Sequence, residues 1–368
     1  MKIFYDYQIF SLQSYGGISR YFSEIAARIS RFDEARVTLC ALAHRNDYLK
    51  SHSLNSFVGF YVPHIPKTSK IRQLCNGIAT RYYLEKWRPN IIHETYYKAY
   101  YPRKTAGNDK SKVVITIHDM IHEKFAECFP PADRVAVLKK AAVSRADHII
   151  CVSQNTRNDV LNLYRIGADR VSVVYHGCSL RVRTMGPGSP IIERPFILYV
   201  GQRKGHKNFK NLLRAYAASQ RLKDAVSLVC FGGGAFDPGE IKMIRDLNLD
   251  AAQVIQIFGN DDTLAGLYDR AQAFVYPSLY EGFGIPPIEA MALRCPVVCS
   301  NTGSLPEIVG EAAEVFNPYE VEHIMSALER VVFSKSRSDE LRRLGLEQAA
   351  QFGWDRCSRE TYNIYKRL

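Results

Sequence analysis

Near-continuous apolar runs bounded by polar turns recur along the chain, with helical patterning between them. In the first half, residues 2–6, 37–41, 90–93, 112–117, 148–152 and 171–175 read as strands. Residues 17–31 read as a helix with Ile18, Tyr21, Phe22, Ile25 and Ile29 on one face. Runs such as 113–117 do not alternate, which is the pattern of parallel strands covered on both faces. Residues 179–194 break the rhythm with Gly186, Pro187, Gly188, Ser189 and Pro190, so a linker is expected at 181–194. Beyond it the grammar restarts, with strands at 196–200, 226–231, 254–258, 273–276 and 296–299, and helices at 210–218, from 238, near 263–271 and from 286. The pattern predicts an α/β protein of two doubly wound, Rossmann-like domains facing across a cleft, residues 1–180 and 195–354. The tail, 355–368, is expected to pack back on the first domain.

Composition agrees with that size of fold. With 368 residues, 46% hydrophobic and 23% charged, the chain supports packed cores and two domains rather than disorder. The longest charge-free stretch, 51–66, contains two histidines and two prolines and does not read as a membrane-spanning helix. Asp6 interrupts any N-terminal apolar run, so the cytoplasm is the expected location. Nine cysteines, scattered and without a C-x-x-C pair, read as reduced core thiols rather than disulfides or a metal site. Charge is uneven: residues 1–190 hold 28 Lys+Arg against 15 Asp+Glu, whereas 191–368 hold 21 against 22. A basic first domain implies an anionic partner there, whether nucleic acid, acidic membrane or phosphorylated substrate.

Four motifs carry candidate chemistry. The densest is Glu281-Gly282-Phe283-Gly284-Ile285-Pro286-Pro287-Ile288-Glu289, directly after a strand. Its glycines let backbone approach a ligand, and its prolines pre-set a helix whose N-terminus suits a phosphate. Glu289 is expected in the first helical turn, where a carboxylate can accept from sugar hydroxyls; Glu281 precedes the turn. The plain alternative is a tight strand-to-helix connection with a capping glutamate. The second motif, Gly201-Gln202-Arg203-Lys204-Gly205-His206-Lys207-Asn208, sets three Lys/Arg cations in a strand-to-helix loop, which suits a diphosphate; a merely solvated loop is the alternative. The third, Tyr15-Gly16-Gly17-Ile18-Ser19-Arg20, opens a helix but lacks the third glycine of a dinucleotide fingerprint. The fourth, Thr116-Ile117-His118-Asp119, ends a strand. His118 could bond a substrate hydroxyl with Asp119 fixing its orientation, or be a structural histidine. No histidine or cysteine pair has metal-ligand spacing.

Together these motifs resemble the retaining glycosyltransferases of family 4, which adopt the two-Rossmann-domain GT-B fold. The resemblance spans nearly the whole chain and is strongest over 196–318, where Glu281 and Glu289 match the family's glutamate, seven-residue spacer, glutamate signature. It implies that Gly16 and Gly17 approach the donor diphosphate and transferred sugar, and that His118 contacts the sugar's 6-hydroxyl. Arg203 and Lys207 would hold the diphosphate, Glu281 with the backbone of Phe283, Gly284 and Ile285 the sugar and phosphates, and Glu289 the ribose. It also implies retention at the anomeric carbon without a metal or other cofactor, a leaving phosphate oxygen taking the acceptor proton. Nucleophilic attack by Glu281 is the less favoured route. Two departures stand out: Gln202 follows Gly201 where relatives often carry Arg, and Tyr175-His176-Gly177 replaces a common Pro-Asn-Gly, leaving the role of His176 open.

The Tyr15–Tyr21, His118–Ile121 and His206–Asn208 segments look most similar to bacterial mannosyltransferases that use GDP-mannose in surface-polysaccharide and lipopolysaccharide assembly. The expected partners are therefore a nucleotide-sugar donor and a saccharide or lipid-diphosphate-linked acceptor. A sugar-nucleotide epimerase on the same architecture is the alternative. A basic nucleic-acid module is a second alternative, disfavoured because no nucleic-acid motif is recognisable. Residues 67–88 carry Lys67, Lys70, Arg72, Arg81, Lys86 and Arg88 against Glu85 alone, with Ile71, Leu74, Cys75, Ile78, Tyr82 and Leu84 at roughly helical spacing. Such a helix can lie on an anionic bilayer, giving a peripheral position on the cytoplasmic face; a core helix with a basic solvated face is the alternative.

Overall fold

The computed structural model describes residues 1–51, 57–63, 65–98, 110–178 and 192–368. The chain forms two compact units: residues 1–123, 129–177 and 353–368 make the first, and 124–128 and 178–352 the second. Most of the linker expected at 181–194 lies outside the described residues.

The first unit is built on a seven-stranded parallel sheet of β1 (Lys2–Tyr5), β2 (Arg36–His44), β3 (Phe57–Tyr61), β4 (Ile91–Glu94), β5 (Lys112–Ile117), β6 (His148–Cys151) and β7 (Val171–Val173). Their order is β3-β2-β1-β4-β5-β6-β7. The central strands are buried along nearly their whole length, as the unbroken Val113–Ile117 run requires. The chain winds outward from β1 to β3, returns to β4 and winds the other way. The reversal lies between β1 and β4, and ligands of doubly wound sheets bind beyond the carboxyl ends of the strands at such a point. The C-terminal helix, Trp354–Arg367, belongs to this unit: Trp354, Cys357, Tyr362, Ile364 and Tyr365 join the core of Tyr5, Phe22 and Ile25.

The second unit repeats the plan with β8 (Phe196–Val200), β9 (Ser227–Phe231), β10 (Val254–Ile257), β11 (Ala273–Tyr276), β12 (Val297–Ser300) and β13 (Ala313–Phe316). Their order is β10-β9-β8-β11-β12-β13, all parallel, with the reversal between β8 and β11. The edge strands β3 and β13 escape the sequence pattern because each is partly exposed and carries a polar or glycine interruption.

The helix Ser69–Trp87 is oriented opposite to a core helix. Asn76, Thr80 and Leu84 face inward, while Ile71, Leu74, Ile78 and Tyr82 are each more than half exposed. Asn76 explains the inversion. Its amide oxygen accepts from Ala43 N at 2.9 Å and its amide nitrogen donates to Ala43 O at 2.9 Å and Ser11 Oγ at 3.1 Å, pinning the helix where the β2–β3 register shifts. The apolar set read from sequence therefore splits: Leu84 is buried, and the rest, Cys75 included, is exposed. Cys75 and Cys128 are also exposed rather than core thiols; all nine cysteines are unbridged. Among the described residues, no helix is long and apolar enough to cross a membrane.

Candidate active site

Both second-unit motifs emerge from the strands that flank the sheet's reversal, one after β8 and one after β11. The loop after β8 turns through Gly201, at φ 118°, and ends in the short 3-10 turn Gly205–Lys207. This brings Lys207 over the end of β11. Its Nζ donates to Glu281 Oε1 at 2.6 Å and to the Tyr276 hydroxyl at 3.1 Å. Burial and the Glu281 carboxylate push the Tyr276 phenol well above its usual range, so it stays a neutral hydrogen-bonding group.

The turn after Glu281 leads into the helix Ile285–Ala292 through Gly284, whose φ of 108° favours glycine and whose added Cβ would lie 2.9 Å from Leu305. The helix begins at Ile285, so Pro286 and Pro287 take its second and third positions and supply no N–H. Anion-binding donors at this terminus reduce to the backbone of Phe283, Gly284 and Ile285. Glu289 is the fifth helical residue, buried, one turn deeper than the first-turn position expected for it. Ser304, invisible to the motif reading, braces the turn: its Oγ donates to Phe283 O at 2.7 Å and lies 3.0 Å from Glu281 O.

Arg203 is placed differently from the expectation that it holds a diphosphate. Its side chain is buried, with Nε 2.9 Å from Glu240 Oε1. Nη1 donates to Gly232 O at 2.8 Å and Gln256 Oε1 at 3.0 Å, and Nη2 to Gly234 O at 2.9 Å and Ala235 O at 3.0 Å. Phe236 lies against its guanidinium, 4.8 Å to the ring centroid. Gly232, Gly233 and Gly234 all have φ between 73° and 81°, and this left-handed coil turns the carbonyls of Gly232, Gly234 and Ala235 onto the guanidinium. Every donor of Arg203 is committed, and the residue works as the pin of the β9 loop.

In the first unit, Gly16 caps the helix Gly17–Ile29, and the Gln13 side chain reaches over its start, Oε1 accepting from Ser19 N at 3.2 Å. Tyr21, one turn along, stands edge-on to His118 at 5.2 Å and to His176 at 4.8 Å. The two imidazoles are near-parallel, 6° apart, with centroids 5.4 Å apart. His118 is buried and its Nε2 has no hydrogen-bond partner among the described residues. Burial, with His93 and Lys139 nearby, pushes its pKa down to about 3, so it is a neutral imidazole whose Nε2 is buried and unpaired. Asp119 does not orient it: its Oδ1 accepts from Ile121 N at 3.0 Å and lies 3.6 Å from Lys139 Nζ. Among the described residues, no group of three or more His, Cys, Asp or Glu side chains is placed to hold a metal ion.

Two family models match the chain, one over each half. Residues 15–182 match Glycosyltransferase Family 4, and residues 189–348 match Glycosyl transferases group 1. The O-antigen chain mannosyltransferase B of Escherichia coli is 31% identical over 270 residues, 70% of this chain and 71% of that protein. The serotype-specific mannosyltransferase WbdA of Escherichia coli is 28% identical over 82% of this chain, which spans only 39% of WbdA's length. Among solved structures, the sucrose-phosphate synthase of Thermosynechococcus elongatus superposes over all of this chain and 98% of its own, with a TM-score of 0.76 at 19% identity. These findings give no support to the epimerase alternative. From the two parallel sheets, the loops at their reversals and these matches, it follows that the chain belongs to the glycosyltransferases of group 1 and family 4, with the GT-B fold.

Proposed function

We propose that the protein transfers mannose from GDP-mannose, with retention at the anomeric carbon, to a saccharide or lipid-linked saccharide acceptor in surface-polysaccharide assembly. The observation that carries this reading is the Lys207–Glu281–Tyr276 cluster beside the proline-started helix, at the reversal of the second sheet. It sets an ammonium and the start of a helix where a diphosphate would leave, and a carboxylate that can accept from sugar hydroxyls. The mannosyltransferase names of the relatives support the sugar.

In this mechanism Lys207 and the amides from Phe283 to Ile285 take up the charge that develops on the departing phosphate oxygens. Two of the three Lys207 donors are used by Glu281 and Tyr276, which hold the ammonium in place before the donor arrives. Glu289 accepts from the ribose hydroxyls. Gly16 and Gly17, without side chains, let the start of their helix approach the donor, and His118 bonds the 6-hydroxyl of the sugar. A leaving phosphate oxygen takes the acceptor proton on the face from which it departs, which yields retention without a covalent enzyme intermediate. With Lys207 and the helix start supplying positive charge, the transfer requires no metal.

The acceptor is read as lipid-linked and reached at an anionic membrane surface. Ile71, Leu74, Ile78 and Tyr82 form a solvent-facing stripe on the helix Ser69–Trp87, with Lys67, Lys70, Arg81 and Lys86 exposed around it. An apolar stripe with a basic border matches the chemistry of an anionic bilayer surface.

Incubation with a panel of nucleotide sugars, scoring slow hydrolysis with and without EDTA, tests the donor and metal independence together. GDP-mannose is expected to be turned over fastest and equally in both conditions. Preference for a uridine-linked donor, or loss of activity in EDTA, contradicts the reading.

A further inference from the structure

The helix Val135–Arg145 buries Lys139, Ala142 and Val143 on its inner face, so a lysine occupies a position where packing alone would select an apolar residue. A buried ammonium is tolerated only when its charge and donors are matched. Here they are. Nζ donates to Asp119 O at 2.8 Å and to Glu123 Oε2 at 2.8 Å, with Asp119 Oδ1 at 3.6 Å and the Tyr97 ring 5.6 Å away. The other oxygen of Glu123 accepts from the Tyr164 hydroxyl at 2.8 Å. Lys139 therefore grips both the backbone carbonyl immediately after His118 and the carboxylate of the short helix Ile121–Lys124 that follows.

We propose that Lys139 is a positioning residue for the transfer reaction: by fixing the Asp119 carbonyl and the Glu123 carboxylate, it holds the β5 turn so that the unpaired Nε2 of His118 meets the sugar hydroxyl. The proposal rests on the reading of His118 as the 6-hydroxyl contact. Tyr21 and Phe22 stand edge-on to His118 and His176 stacks on it, and these contacts fix its ring plane. Lys139 ties the backbone that follows His118 to the helix Val135–Arg145, and so sets how far the ring projects from the end of β5.

The test compares kcat/KM for GDP-mannose with that for its 6-deoxy analogue, a ratio unaffected by partial loss of folded enzyme. The wild type is expected to favour the parent donor by tenfold or more, and His118→Ala to reduce that preference to about twofold or less. Lys139→Met is expected to do the same although it touches no donor, while Lys139→Arg retains most of the preference. Glu123→Gln, which keeps the shape of the cluster, serves if Lys139→Met does not fold, and is expected to lower the preference at least threefold. If His118→Ala keeps the wild-type preference, the reading of His118 falls and the proposal with it. If His118→Ala loses the preference while Lys139→Met and Glu123→Gln both keep it, the proposal alone is overturned.

Discussion

The ammonium of Lys207 lies 2.6 Å from Oε1 of Glu281, joining the loop after β8 to the loop after β11 across the point where the strand order of the second sheet reverses. A cation already held by a carboxylate does not need to be ordered when the donor binds; it gains a stronger partner as charge grows on the leaving diphosphate. Lys207→Ala is therefore expected to lower kcat by roughly 10- to 100-fold, about 1.4 to 2.7 kcal/mol, while donor KM rises less. Steady-state kinetics with varied donor checks this. An effect confined to KM would reduce Lys207 to ground-state binding.

Arg203 is expected to behave as a structural residue. Arg203→Ala leaves Glu240 without its buried partner and frees three carbonyls of the 232–235 loop, which should cost about 3–5 kcal/mol of stability. Urea unfolding measures it. Wild-type stability combined with a large rise in donor KM would return Arg203 to the diphosphate.

Five buried histidines, His44, His93, His118, His148 and His176, have their pKa lowered by burial and make the first unit sensitive to acid. His93 and His118 are pushed down to about 3, and His176 well below its usual value, all chiefly by burial. Between their ordinary value of 6.5 and about 3, the unfolded chain binds protons that the folded chain refuses. Stability is thus full above pH 6.5 and is lost as pH falls, at about 1.4 kcal/mol per pH unit for each of His93, His118 and His176. Thermal unfolding from pH 7.5 to 4.5 is expected to show this slope, and His176→Asn to reduce it by one proton's worth. A pH-independent melting temperature over that range would contradict the burial of neutral imidazoles.

The exposed stripe on the helix Ser69–Trp87 predicts flotation with vesicles containing phosphatidylglycerol and none with pure phosphatidylcholine. Binding should weaken at high salt, with the double substitution Lys67→Glu and Lys70→Glu, and with Leu74→Ser. No flotation with anionic vesicles would leave a freely diffusing acceptor as the better account.

The strand grammar and both second-unit motifs were legible because parallel buried strands and glycine- or proline-marked loops are local signals. The partnership of Lys207 and Glu281 was not legible, because it depends on the sheet order that sets β8 beside β11. The fate of Arg203 was not legible, because it depends on three glycine-loop carbonyls and Glu240, a distant sequence segment that closes on the guanidinium only in the fold. The inverted helix shows the same limit: an apolar stripe looks the same whether it faces core or solvent, and Asn76, bonded to the backbone of Ala43, decides the direction. Lys139 left a faint mark, a lysine in phase with Ala142 and Val143, which becomes meaningful once its partners Asp119 and Glu123 are placed.

The central claim, mannosyl transfer with retention, is tested most directly by following the anomeric proton and carbon of the product by NMR as the enzyme consumes GDP-mannose in the presence of a mannose-terminated acceptor. GDP-mannose is α-linked, so the account predicts that the first product formed is an α-mannoside, with its one-bond carbon–proton coupling in the α range. A β-mannoside as the initial product, or transfer from another nucleotide sugar with GDP-mannose untouched, would contradict it.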